Sequence, residues 1–259
     1  MIEDLVVCTV QYDVLWEDSK GNFGKIETLL SEITKSVDLI VLPEMFTTGF
    51  SMDAQRIAEK HDENDLASLQ WMRKIAERYD AIIVGSIAVQ DQDKFYNRLY
   101  WVKPSGKVSY YDKKNLFAYA GEDEYYSAGN KKLIETINGW KIQPLICFDL
   151  RFPTWSKNSM VNELPQYDLL IYAANWPQKR RLHWQKLLLA RAIENQSYVI
   201  GVNRVGKDEN GIQYIGDSVV IDFMGEYITT HPDFQESVCV TRLTKSSLNN
   251  YRKAFPVLD

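Results

Sequence analysis

The chain carries a series of short runs rich in β-branched and large apolar residues: Leu5–Val10, Leu39–Leu42, Ala81–Ala88, Leu99–Val102, Ile142–Cys147, Leu169–Ala173, Tyr198–Val202, Ser218–Ile221 and Ser237–Val240. Runs of this length with so few polar interruptions predict buried strands. Longer stretches between them repeat their apolar positions every three or four residues. Leu69, Met72, Ala76 and Tyr79 mark one such face, and Leu182, Leu189, Ala190 and Ile193 another, which is the period of an amphipathic helix. Pro104-Ser105-Gly106 separates two strand-like runs and predicts a hairpin turn. Strand and helix alternate, so a mixed sheet or a pair of sheets covered by helices is expected. No internal repeat, low-complexity segment or Gly/Ser/Pro-rich linker interrupts the pattern. A single domain over 1–259 is the simplest organisation.

Composition narrows the function more than the fold. With 259 residues, 45% hydrophobic and 25% charged, the chain has the makeup of an ordinary globular protein and enough length to bury a core without disulfides or metal. The formal net charge of −5, with scattered cations, argues against nucleic acid as a partner. No stretch approaches the roughly 20 apolar residues of a membrane span. The N-terminus meets Glu3 and Asp4 without a basic leader, so a cytoplasmic protein is expected. Cys8, Cys147 and Cys239, like His61, His183 and His231, are too dispersed for a disulfide framework or a metal site. No metal or other cofactor is expected.

Three places put reactive side chains where a buried strand ends, the usual location of sites in open α/β folds. The first run closes on Leu42-Pro43-Glu44, and the flanking Met45, Phe46, Phe50 and Met52 are expected to surround the carboxylate with apolar atoms and raise its pKa, which would suit a general base. The second is Lys113-Lys114-Asn115-Leu116-Phe117; a lysine pair alone is more often a solvated charge pair. The third is Cys147-Phe148-Asp149-Leu150-Arg151-Phe152-Pro153. There a strand delivers a cysteine to a turn, and Pro153 is placed to open a helix. Cys8 and Cys239, inside strand-like runs, read as buried structural thiols. Cys147, at a junction with outward backbone N–H groups, reads as a stabilised thiolate. A carboxylate, an ammonium and a thiolate together suit amide hydrolysis: base, oxyanion partner and nucleophile.

On these motifs, taken in order, the chain resembles the nitrilase, or carbon–nitrogen hydrolase, superfamily over essentially its whole length. The resemblance implies a four-layer α-β-β-α sandwich, a Glu44, Lys113 and Cys147 catalytic set acting through a thioester, and no cofactor. Lys113 rather than Lys114 fits the lysine motif, with Asn115 where histidine is commoner. Glu122, seven residues before Gly129, fits the second glutamate that orients the lysine, in preference to Asp123 or Glu124. The segment Ala174-Asn175-Trp176-Pro177 through His183-Trp184, followed by Ala190–Gln196, is similar to the omega-amidase group. That group hydrolyses the side-chain amide of 2-oxoglutaramate or 2-oxosuccinamate to the 2-oxo diacid and ammonia. Such a substrate needs a cation for its remote carboxylate, for which Arg180 is the candidate, with Phe148 and Trp176 beside Cys147. The resemblance further implies a homodimer, with the tail over about 244–259 crossing to the partner.

Other expectations remain open at this stage. The same Glu, Lys and Cys could serve an N-carbamoyl amino-acid hydrolase or an aliphatic amidase. Cys147 could pair with His183 in papain-like catalysis, or the fold could serve binding alone.

Overall fold

Alternation along the strands decides the layering. On the strand Leu5–Gln11, Leu5 and Val7 enter one apolar cluster while Val6, Cys8 and Val10 enter another. The same split separates Leu39 and Val41 from Ile40 and Leu42, and Leu99 and Trp101 from Tyr100 and Val102. Successive side chains of a strand point to opposite faces, so a sheet with two apolar faces must be covered twice. The structure, a computed structural model describing residues 4–62 and 66–258, does this with four layers. The helices Ser19–Leu30 and Ala67–Tyr79 bury Ile26, Leu30, Leu69 and Met72 against the outer face of a seven-stranded sheet. The inner face packs on a six-stranded sheet, and the helix Arg181–Glu194 covers that second sheet. This is the expected α-β-β-α sandwich, folded as a single α/β domain.

Both sheets have parallel centres. In the first, Leu5–Gln11, Leu39–Val41 and Ile82–Asp91 run parallel, and the hairpin strands Lys94–Val102 and Val108–Asp112 continue the sheet antiparallel. The turn at Pro104-Ser105-Gly106 is closed by the Lys103 and Lys107 backbones, with Gly106 at φ 81°, a conformation glycine adopts at no steric cost. In the second, Trp140–Ile146, Leu169–Ala174 and Tyr198–Asn203 are parallel. Parallel centres put several strand C-termini at one edge, where Glu44, Cys147 and Asn175 follow their strands.

Two expectations need correction. The helix Arg181–Glu194 does not bury the face of Leu182, Leu189, Ala190 and Ile193: Trp184, Leu188, Arg191 and Ala192 are buried, while Leu182 and Ile193 are 60% and 52% exposed. The reason lies in the sheet below. Gly201 presents no Cβ, and one built there would stand 2.6 Å from Leu188 and 2.8 Å from Trp184, so the helix seats those side chains directly over the bare backbone. Cys239 is half-exposed rather than buried like Cys8, because its strand, Ser237–Leu243, forms the edge of its sheet. Among the described residues no helix is long and apolar enough to cross a membrane.

His231 shows how the sandwich closes at its far edge. Its Nε2 lies 2.7 Å from Thr9 Oγ1 and its Nδ1 2.7 Å from Ser237 Oγ. Burial pushes the imidazole down to about 4. The folded protein therefore binds its proton later than the unfolded chain, where a histidine titrates near 6.5. This contribution is complete above about pH 6.5 and is lost as pH falls toward 4, a total of about 3 kcal/mol. His231→Gln, which keeps polar partners but cannot charge, is expected to narrow the fall in melting temperature between pH 7.5 and 5 relative to wild type in a thermal unfolding scan.

Candidate active site

Each reactive side chain is delivered by the end of a strand. Leu39–Val41 leads into Pro43-Glu44, Val108–Asp112 into Lys113, and Trp140–Ile146 into Cys147. Glu122 opens the short helix Glu122–Tyr125. All four converge, and Glu44, Lys113 and Glu122 are fully buried. Lys113 Nζ donates to Glu44 Oε1 at 2.9 Å and to Glu122 Oε1 and Oε2 at 2.9 and 2.8 Å. Lys114 is half-buried and its ammonium lies 5.6 Å from the Trp155 ring instead, which separates the two lysines as the sequence motif does. Gly129 makes the approach feasible: a Cβ there would stand 2.2 Å from the Asp112 carbonyl oxygen. Its N–H donates to the Lys113 carbonyl at 2.9 Å. Asp123 and Glu124 are exposed.

Counting donors distinguishes the two carboxylates. Each Glu122 oxygen accepts twice: Oε1 from Lys113 and from Asn97 Nδ2 at 3.2 Å, Oε2 from Lys113 and from the Phe117 N–H at 2.6 Å. With two lone pairs per oxygen, Glu122 has no place for a proton. Burial pushes its carboxyl up and Glu44 adds to that, while Lys113 and the Phe117 N–H pull it down; with every lone pair engaged, it is the charged partner of Lys113. Glu44 Oε1 also accepts twice, from Lys113 and from Asn97 Nδ2 at 2.8 Å, but Oε2 accepts only the Asn175 N–H at 2.8 Å. Among the described residues one lone pair of Glu44 stays open. The Glu44 charge acts on the Cys147 thiol, whose Sγ donates to the Asn175 carbonyl at 3.9 Å. The expected apolar shell around this carboxylate is only partly formed: polar donors hold its oxygens, and of the four flanking residues Phe50 lies at the site, its ring 5.1 Å from Lys113 Nζ. Met45 and Phe46 turn into separate apolar clusters, because Met45 takes a left-handed φ of 43° and the chain reverses there.

Charge also corrects the picture of the cysteine. Burial first, and Glu44 second, raise the Cys147 thiol well above its ordinary range, with Lys113 opposing. The resting group is therefore favoured as a thiol rather than a thiolate. Burial pulls the Lys113 ammonium down, but Glu122 and then Glu44 outweigh it and hold it above an ordinary lysine. The strand ends at Ile146, one residue earlier than expected, and Cys147 opens a one-turn 3-10 helix, Cys147–Arg151, at a left-handed φ of 42°. Pro153 begins the next short helix, Pro153–Ser156.

Beside Cys147 lies a narrow cavity of about 50 Å³ lined by Phe50, Phe117, Phe148, Trp176 and Tyr214, and by Arg151, Asn175 and Arg180. Phe148, Trp176 and Arg180 are thus gathered at the cysteine as expected. Larger depressions, about 410 Å³ around Asp168 and Arg252 and about 660 Å³ around Asp53 and Asp93, are not lined by a cysteine. His183 is exposed and its Nδ1 lies 2.7 Å from Arg151, so the geometry gives Cys147 no imidazole partner there. No cluster of His, Cys, Asp and Glu among the described residues could hold a metal ion.

Four contributors were not singled out from sequence. Asn97 bridges the two carboxylates, and its only signal is an amide inside an apolar strand. Asn175 clasps Glu44 with its backbone N–H and, through Nδ2, the Glu44 carbonyl at 2.6 Å. Asp149, fully buried, accepts from Tyr111 Oη, Ile146 N, Asn115 N and Asn115 Nδ2 at 2.7–3.1 Å; it ties the cysteine turn to the lysine loop, and here Asn115 finds its use. Arg151 joins Arg180 at the cavity. Burial first, and the Arg180 charge second, lower the Arg151 guanidinium, and among the described residues neither arginine has an acidic partner. Arg180 stacks 5.0 Å from the Phe117 ring and Arg151 5.2 Å from the Trp176 ring.

Comparison with known proteins identifies the family and the fold. The carbon–nitrogen hydrolase family model matches residues 6–253. The chain is 45% identical to the omega-amidase YafV of Escherichia coli (strain K12), over 97% of this chain and 94% of that protein. It is 31% identical to the 2-oxoglutaramate amidase of Bacillus subtilis (strain 168), over 98% and 96%. A crystal structure of a CN-hydrolase superfamily protein from Xanthomonas campestris, with an arsenic adduct in its active site, superposes with a TM-score of 0.94 at 40% identity, covering 98% of this chain and 96% of that one.

The left-handed backbone at Cys147 has a measurable cost. An L-residue in that region is disfavoured by about 1–2 kcal/mol, and glycine is not. Cys147→Gly is therefore expected to melt about 2–4 °C above Cys147→Ala for each kcal/mol of strain released, in paired thermal denaturation of the two inactive variants.

Proposed function

We propose that this chain, which belongs to the carbon–nitrogen hydrolase family, is an omega-amidase that cleaves the side-chain amide of a small 2-oxo dicarboxylic acid monoamide, with 2-oxoglutaramate or 2-oxosuccinamate as substrate. The observation that carries the substrate class is the pair of guanidiniums, Arg151 and Arg180, that line the cavity beside Cys147 without acidic partners of their own. Unneutralised arginines in a narrow aromatic cavity favour a ligand carrying carboxylate, since charge-assisted bonds to a fork-shaped cation are strong and orienting. A neutral aliphatic amide offers them nothing.

The mechanism follows from the donor count. The open lone pair of Glu44 Oε2 takes the Cys147 proton as Sγ attacks the amide carbon. As Glu44 loses its charge its hold on Lys113 weakens, and an ammonium hydrogen is released toward the developing oxyanion. Glu44 then passes the proton to the departing nitrogen, ammonia leaves, and a thioester remains on Cys147. Water, deprotonated by Glu44, attacks the thioester carbonyl, and the 2-oxo acid is released as the thiol regains its proton. Glu122 stays charged throughout and keeps Lys113 protonated.

The same proposal includes a homodimer in a cytoplasmic setting. The outward face of the helix Arg181–Glu194 carries Leu182 and Ile193 to solvent, and the tail exposes Phe255 and Val257. The rest of the tail is engaged in cis, with Leu248 buried and Arg252 and Lys245 paired to Asp168. A second copy is the partner that would cover both surfaces, and three free cysteines suit a reducing compartment.

Ammonia release from 2-oxoglutaramate tests the activity: wild type is expected to turn over and Cys147→Ala to be inert, and equal release by both would refute the assignment. Arg180→Leu and Arg151→Leu are each expected to raise KM roughly 10- to 100-fold, the worth of one charge-assisted contact, with kcat changed far less. An unchanged KM in both variants would remove the dicarboxylate preference. Ile193→Asp is expected to shift the sedimentation coefficient from dimer to monomer.

A further inference from the structure

We infer that Asn97 is a positioning residue for this reaction: its side-chain amide, shared between the two buried carboxylates, keeps Glu44 free to accept the thiol proton. The inference rests on the amidase reading of the site. Asn97 lies in the strand Lys94–Val102 opposite Ala88 and is fully buried. Its Nδ2 reaches Glu44 Oε1 at 2.8 Å and Glu122 Oε1 at 3.2 Å, the same two oxygens that Lys113 Nζ holds at 2.9 Å each. Its own carbonyl accepts the Lys113 N–H at 3.0 Å. The orientation of the amide is fixed by chemistry, because the flipped form would aim an oxygen at two carboxylates. Among the described residues its Oδ1 has no hydrogen-bond partner, so the side chain is not placed to satisfy itself.

The electrostatic problem is two buried anions with one ammonium between them. Like charges this close ordinarily relieve their repulsion by capturing a proton, and a proton on Glu44 would disable the base. A second lysine or arginine would prevent that capture but would also make Glu44 a weaker base. A neutral amide supplies one donor to each carboxylate and adds no charge. By holding Oε1 in two bonds it also leaves Oε2 as the oxygen with a single contact, the Asn175 N–H, among the described residues. The titratable groups that act on this pair are Lys113, Cys147 and Tyr126, whose hydroxyl is tied to the Ser51 carbonyl at 2.9 Å.

The test is the pH dependence of turnover in two near-isosteric variants. In Asn97→Leu each carboxylate loses a donor to its charged form. The acid limb of the kcat profile is expected to move up by about one pH unit, a roughly tenfold loss below the limb, with KM within about twofold of wild type. In Asn97→Asp the introduced carboxyl can stand in for the amide only while it holds a proton, so activity is expected to persist at acid pH and to fall as pH rises, opposite to Asn97→Leu. A uniform loss at every pH in both variants, or a rise in KM alone, would overturn the inference. Should Asn97→Leu not fold, Asn97→Asp decides by itself. The rate of Cys147 alkylation by iodoacetamide against pH provides the same comparison without substrate. A wild type inert toward omega-amides would sink the proposed function, whereas unshifted alkylation profiles would sink only the role of Asn97.

Discussion

Everything at the reactive end of this molecule depends on one ammonium with no access to water. Lys113 is sealed between Glu44 and Glu122. Burying such a group costs several kcal/mol in desolvation, recovered only where geometry and hydrogen bonding are nearly complete. The surrounding structure meets that condition by closing the donor count. Glu122 is saturated and Glu44 is one contact short, with the Cys147 thiol within reach of its charge. The two carboxylates that hold the ammonium therefore differ by one hydrogen bond, and the open lone pair is on Glu44.

Holding that network requires that loops from both sheets keep their registers. Asp149 joins the cysteine turn to the lysine loop, Asn175 joins the fourth contributing strand end to Glu44, and Asn97 joins the carboxylates from the strand beneath. The left-handed residues Met45 and Cys147 sit immediately after or at the reactive positions, where the chain must turn sharply to aim a side chain into the cleft. Strain of this kind persists where the surroundings over-determine it, and the buried hydrogen bonds on either side supply that constraint.

Much of this could be read from the chain. The apolar runs located the central strands but not all their ends: Lys94–Val102 begins well before the run Leu99–Val102, and Ile82–Asp91 and Ser237–Leu243 run on past Ala88 and Val240. Glu44, Lys113 and Cys147, each just after a strand, are the ones brought together. What could not be read depends on distance between segments far apart in sequence. Asn175 N and Glu44 Oε2 are separated by 131 positions, and no local pattern reveals that a backbone N–H completes a carboxylate. The same limit hid the ionisation of Cys147: a strand-to-turn position suggests a thiolate, but burial of the sulfur, and then the charge of Glu44, reverse the sign. On the helix Arg181–Glu194 two apolar faces compete, and which one turns inward was decided by Gly201 in the underlying strand, outside the helix altogether.

The site also draws its members from the two sides of the sandwich, with Glu44 and Lys113 extending one sheet and Cys147 and Asn175 the other. No single sheet carries a complete set. A slip of one layer across the other by a fraction of an ångström would leave each sheet's hydrogen-bond ladders whole, yet would part the proton acceptor from the sulfur. Turnover is thus a sensitive gauge of interlayer alignment, and heat or solvent that loosens the central interface would silence the enzyme before any strand is lost.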